Sequence, residues 1–173
     1  MDSTPKPRIG ILAQRIEPRT NLKNAVPAHI QLSLRNIALD AAKLGVSVLF
    51  TGINNTDKMP AAEELAAELH LPLYRVDLSQ LISKYIGETE KNLDRLFNAA
   101  EPNGSILFFD EADALFGKRS EVKDSHDRYL NIEVDYLLQK VQSHKGLVIF
   151  ATKAQGEIDK SLLDRFRHVV KFP

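Results

Sequence analysis

A chain of 173 residues, 43% hydrophobic and 27% charged, is long enough for one domain with a sizeable core and has the composition of an ordinary globular protein. Lys+Arg and Asp+Glu balance at 23 each, so no global basic field invites nucleic acid or an anionic membrane. Without cysteine there are no disulfides, thiolate metal sites or cysteine nucleophiles; with no apolar run of membrane-spanning length and no signal-peptide pattern in Met1–Pro5, a cytoplasmic protein is expected.

Residues 1–27 read as an irregular N-terminal segment, with the first eight a polar leader. Residues 28–173 read as the folded core. Ala28–Leu44 suits a helix, with Ile30, Leu34, Ile37 and Leu44 on one apolar face and Gly45 just past its end. Strands are expected at Val46–Thr51, Pro72–Asp77, Ser105–Asp110, Leu147–Thr152 and His168–Phe172. Helices are expected at Ala61–Leu69, Glu88–Ala100, Asp127–Gln142 and Ser161–Phe166. Strands alternating with helices imply parallel pairing through right-handed crossovers. Ile106-Leu107-Phe108-Phe109 is apolar on both faces, as befits a strand covered by helices on both sides. The fold class expected is therefore α/β: a three-layer, five-stranded parallel sheet whose ligands sit beyond the carboxyl ends of the strands.

The third strand ends in Asp110-Glu111. Apolar residues followed by two carboxylates make a Walker B pattern: the first acid reaches towards Mg²⁺ and the second towards a water that attacks phosphate. The alternative is two acids that merely cap the next helix. The five histidines show no metal-ligand spacing, and no serine has the flanking pattern of a nucleophile elbow.

Ser83-Lys84-Tyr85-Ile86-Gly87-Glu88-Thr89-Glu90-Lys91-Asn92 resembles the first pore loop and following helix of AAA ATPases. Phe108-Phe109-Asp110-Glu111-Ala112-Asp113-Ala114-Leu115 resembles their Walker B, and Lys118–Lys123 their second pore-loop region. The resemblance runs from about Val46 to Pro173 and is nearest to bacterial AAA proteins. It implies the large subdomain of a P-loop NTPase-like fold, ATP and Mg²⁺ as cofactors, a hexamer-type homo- or hetero-oligomer, and a polypeptide substrate. It implies neither nucleic acid nor membrane as a partner. Tyr85, Ile86 and Gly87 would line an axial channel, where an aromatic ring grips extended polypeptide with little sequence preference. Local packing of Tyr85 is the alternative. The family continues into a helical lid beyond the point reached by Pro173, so the expected architecture has the lid subdomain absent.

Between the first strand and its helix the family has G-x-x-x-x-G-K-[ST], the Walker A loop. Here the stretch is Gly52-Ile53-Asn54-Asn55-Thr56-Asp57-Lys58-Met59. Gly52 and Lys58 match, Asp57 replaces the second glycine, and Met59 replaces the hydroxyl residue. A carboxylate about 4 Å from a phosphate oxygen is repelled by roughly 4 kcal/mol at an effective dielectric of ~20. A thioether is a poor ligand for Mg²⁺. Pro60 is expected to delay the helix and shift Lys58 out of its first turn. Asp57 is expected to N-cap the helix with its own carboxylate and so occupy the anion site, while Asn54 and Asn55 tolerate left-handed angles. Lys153 replaces the asparagine of sensor 1 and, as a donor only, orients water poorly. Arg165 matches one trans-acting arginine, Asp164 replaces the other, and Arg167 is a substitute.

Two functions follow. In one, an AAA+-like domain related to protein-remodelling and translocating ATPases binds and hydrolyses ATP poorly because its Walker A is degenerate. In the other it is an active motor subunit: Asp110 holds Mg²⁺, Glu111 activates water, Lys58 and the loop residues Gly52, Asn54, Asn55, Thr56, Asp57 and Met59 meet the nucleotide, Lys153 senses it, and Arg165 completes a neighbour's site.

Overall fold

A computed structural model describes residues 13–17, 26–41, 45–53, 56–81, 88–113, 125–154, 158 and 160–173, without the side chains of 79–80 and 125–133. Among the described residues, six strands form one sheet: β1 (Ala13–Ile16), β2 (Val46–Thr51), β3 (Leu73–Asp77), β4 (Ile106–Asp110), β5 (Leu147–Ala151) and β6 (His168–Lys171), in the order β1-β3-β4-β5-β2-β6. Every pairing from β3 to β6 is parallel. The helices are α1 (Ala28–Ala41), α2 (Lys58–Leu69), α3 (Leu78–Leu81), α4 (Glu88–Ala100), α5 (Ser125–Ser143) and α6 (Lys160–Leu163).

The five expected parallel strands are all present. The correction is β1, which lies in the segment read as irregular and pairs antiparallel with β3, Ala13 opposite Val76. Its sequence, AQRI, is too short and too polar to announce a strand. It is ordered by the unpaired edge of β3, and an edge strand with only Ala13 fully buried needs no alternating apolar pattern.

The two faces of the sheet carry separate apolar clusters, because strand side chains alternate. Leu107, Phe109, Val148, Phe150 and Leu49 point towards α4 and α5, where they meet Leu93, Leu96, Leu137 and Leu138. Ile106, Phe108, Ile149, Val48 and Phe50 point towards α1 and α2, where they meet Ile30, Leu34, Ile37 and Leu65. Phe109 stacks on Phe150 with ring centres 4.9 Å apart. Helices on both faces leave only the strand ends open for chemistry.

At the amino end of β5, His144 is buried with its ring edge-on to Phe97, and Gly146 makes room for it: a side chain there would meet His144 Nε2 at 2.5 Å. Nε2 has no hydrogen-bond partner among the described residues. Burial lowers the His144 pKa below its ordinary value of 6.5, with Glu101 opposing the shift. The unfolded chain therefore takes up a proton that the fold resists. Stability is expected to be intact above about pH 6.5 and to fall as the pH drops from there towards the folded-state pKa. Melting curves at pH 7.5 and 5.0 should show this loss, and His144→Leu should shrink it; an unchanged pH dependence in the variant would refute the assignment.

Candidate functional site

Three neighbouring strands, β4, β5 and β2, end side by side and carry Asp110, Thr152 and Gly52 at or just beyond their carboxyl ends. Backbone bonds tie these ends together. The Thr152 N–H donates to the Phe50 carbonyl (2.9 Å), the Ala112 N–H to the Ala151 carbonyl (3.0 Å), and the Phe172 N–H to the Thr51 carbonyl (2.8 Å). Gly52 has φ 131°, and a Cβ there would stand 2.4 Å from the Phe172 carbonyl oxygen. The fold alone thus demands glycine at this position.

Lys58 begins α2, three residues earlier than expected, and Pro60 sits in the helix's first turn. A first turn does not use its N–H groups for internal bonds, so proline is tolerated there and the expected delay does not occur. The Lys58 side chain is only 1% exposed. Its Nζ donates to the carbonyl of Gly52 and to that of Thr152 (2.8 Å), bridging the ends of β2 and β5. Burial lowers its pKa, while the nearby Asp113 and Asp110 favour the charged form.

Asp57 stands at the N-cap, but its side chain makes no cap hydrogen bond. The expectation that its carboxylate caps the helix is therefore corrected: with φ −96° and ψ −14° the backbone already has helical angles, unlike the extended backbone of a capping residue. Met59 packs against the apolar cluster beneath α1 and α2. Thr56 lies in the turn before the helix, exposed.

Asp110 is engaged from an unforeseen direction. Arg75 on β3 places Nε and Nη2 each 2.8 Å from Asp110 Oδ2, and Oδ1 accepts the N–H of Glu111 (2.8 Å). The register explains the reach: Arg75 pairs with Phe108 and Asp77 with Asp110, so Arg75 is the diagonal same-face neighbour of Asp110. The pair is partly shielded, with side chains 38% and 16% exposed. Glu111 is exposed and has φ 54°, a left-handed conformation costing a non-glycine residue about 1–2 kcal/mol. Such strain is common at functional turns.

Behind this turn, Asp113 Oδ1 accepts the Thr152 hydroxyl (2.9 Å) and the Lys153 N–H (2.7 Å). Lys153 is thus fixed by its backbone, while its side chain stays exposed. Gly52, Lys58, Asp110, Glu111 and Lys153 are brought together at one end of the sheet. Arg165 is not: the Ser47 hydroxyl donates to its carbonyl (3.2 Å) near the amino end of β2, the opposite end of the sheet. Arg167 is ion-paired there with Asp40 (3.1 Å). Asn54, Asn55, Tyr85, Ile86 and Gly87 lie outside the described residues.

Sequence reasoning gave no role to Arg75, Asp113 or Thr152. A charge in the middle of β3, a strand with partly covered faces, was the available signal, since a half-buried arginine calls for a partner.

The donors present do not suit a divalent cation at Asp110. An ion there would stand about 4 Å from the Arg75 guanidinium, a repulsion of roughly 8 kcal/mol at an effective dielectric of ~20 before screening. Met59 supplies no oxygen, and among the described residues no group of three or more His, Asp or Glu side chains could hold a metal.

Residues 48–173 match the family described as "ATPase family associated with various cellular activities (AAA)". The chain is 33% identical over 170 residues to the uncharacterized AAA family ATPase y4kL of Sinorhizobium fredii, covering 92% of this chain and 52% of that protein. It is 34% identical over 153 residues to the peroxisomal ATPase PEX6 of Arthrobotrys oligospora (83% and 13% covered) and 33% identical over 125 residues to spastin of Sus scrofa (69% and 20%). It thus spans about half the length of y4kL and far less of the others. The FIGL-1 AAA domain superposes with a TM-score of 0.72 at 23% identity over 95% of this chain and 59% of that one; its ADP complex gives 0.72 at 22% over 94% and 58%. Likeness at this identity is one of fold.

Proposed function

Because this chain belongs to the AAA family of ATPases, we propose that it is the large nucleotide-binding subdomain of a protein-remodelling ATPase in which ATP binding and hydrolysis are impaired. One observation carries this reading: Lys58 and Asp110, the two groups that should serve phosphate and metal, are both bound to the protein itself. An ammonium shared between two buried carbonyls is held by the protein before any phosphate arrives. Asp57 adds negative charge beside it, and Met59 cannot replace a hydroxyl. The ADP in the FIGL-1 complex supports a nucleotide as the ligand class.

Mg²⁺, when bound in such sites, polarises the transferred phosphate; the donor set described above does not favour it here, and no step is routed through it. Glu111, exposed beside Asp110, has the position of a water-orienting base. That geometry favours the second reading, an active motor subunit. Phosphate release measured after titration with Mg-ATP separates the two. Weak binding with turnover well below 1 s⁻¹ is expected, whereas tight binding with turnover near 1 s⁻¹, the low end of typical enzymes, would establish the motor.

The pore-loop role of Tyr85, Ile86 and Gly87, a polypeptide substrate, hexamer-type assembly through Arg165 and a cytoplasmic location belong to the same proposal. They are supported by family membership, by the exposure of Arg165 and by the lack, among the described residues, of a helix long and apolar enough to cross a membrane. Residues 1–27 and 28–173 remain the proposed division into N-terminal segment and core, with β1 as the part of the first that joins the sheet.

A further inference from the structure

We propose that Arg75 is a built-in cation that replaces a divalent metal at Asp110, so that any nucleotide phosphate received at this end of the sheet is bound without metal. This deepens the reading above and rests on its assignment of the site to nucleotide. The guanidinium donates through both Nε and Nη2 to one carboxylate oxygen, and the Glu111 N–H takes the other. Each of the two carboxylate oxygens thus already accepts from the protein, with the fixed positive charge on Oδ2. An arginine never loses its charge at physiological pH, so this counter-charge is permanent. Its planar fork has further N–H groups beyond those spent on Asp110, and forked N–H donors suit phosphate oxygens.

The position is a consequence of the sheet. Arg75 and Asp110 are diagonal neighbours on adjacent parallel strands, so the pair is held by register rather than by a loose loop. Arg75 also stands opposite Gln14 of β1, which closes the outer edge beside it. Asp77 lies directly opposite Asp110. Removing the guanidinium would leave two carboxylates side by side, the arrangement that draws a divalent cation.

The test uses the full chain, with ADP and Mn²⁺ as probes. ADP affinity of the parent protein should agree within about twofold in excess Mg²⁺ and in EDTA, and the water-proton relaxation of Mn²⁺ should be unaffected by the protein. Arg75→Asn should lose at least tenfold in ADP affinity in EDTA and should gain measurable Mn²⁺ relaxation enhancement, which Asp110→Asn added to it should remove. Arg75→Lys, which keeps the charge, should retain ADP binding in EDTA within about threefold and so guard against a fold defect in the first variant. A parent protein whose ADP affinity rises tenfold or more with Mg²⁺, or that enhances Mn²⁺ relaxation by itself, overturns the proposal. So does a parent protein that binds no ADP under either condition, although the silenced ATPase reading then still stands. Rapid Mg-ATP turnover sinks that reading instead, and is read in a separate assay.

Discussion

Replacing Asp57 with glycine is expected to raise ATP affinity at least tenfold. The carboxylate stands at the start of α2, where backbone N–H groups and the helix dipole would otherwise favour an anion. Its repulsion of a phosphate about 4 Å away is worth roughly 4 kcal/mol before screening, and partial exposure and salt reduce this. Retention of about a third, ~1.4 kcal/mol, is enough for tenfold. The substitution should leave the fold intact, because the Asp57 side chain makes no cap bond to lose. Calorimetric titration of parent and variant with ATP in EDTA isolates this charge from any metal effect. Equal affinities would mean that Asp57 does not face the nucleotide, and the electrostatic explanation of a weak site would fail.

Lys58→Ala should destabilise the protein by about 3 kcal/mol and lower Tm by roughly 6–12 °C, with no nucleotide present. The ammonium links the Gly52 and Thr152 carbonyls across the ends of β2 and β5, within a nearly inaccessible side-chain environment. Alanine leaves buried acceptors without this donor and opens a gap where the aliphatic stem had packed. Lys58→Met keeps most of the stem and should recover only the packing share of the loss. Thermal unfolding of all three proteins reads the difference. An alanine variant as stable as the parent would show that the lysine does not brace the sheet and is free to serve a ligand. The two experiments are independent: the first measures charge at the helix start, and the second measures the strength with which the protein holds its own lysine.

Much of the architecture could be read in the residues because the three central parallel strands, β2, β4 and β5, are short and apolar on both faces. Val46–Thr51 and Leu147–Ala151 emerged almost as expected for that reason. β1 did not, since AQRI is a strand only where β3 offers an open edge. α2 starts at Lys58 rather than after Pro60, because a proline in the first turn displaces no helical bond and the restriction it places on Met59 does not keep that residue out of the helix. The candidate site was partly legible for the same kind of reason. Asp110 and Glu111 follow a contiguous apolar run, and Gly52 and Lys58 keep a recognisable spacing. Arg75, Asp113 and Thr152 come from different elements, and nothing local links them.

What the sequence by itself determined is the order of the five parallel strands and the longer helices, the motifs that resemble the family, and the chemical types gathered near the strand ends, because periodicity, spacing and short motifs are properties of neighbouring residues. What only the tertiary structure decided is whom those groups hold. Arg75 reaches Asp110 through the register of β3 on β4, and Lys58 bridges Gly52 to Thr152 because β2 and β5 lie adjacent though about a hundred residues apart. Pairing between distant strands sets those distances, and the strength of a hydrogen bond or an ion pair depends on distance.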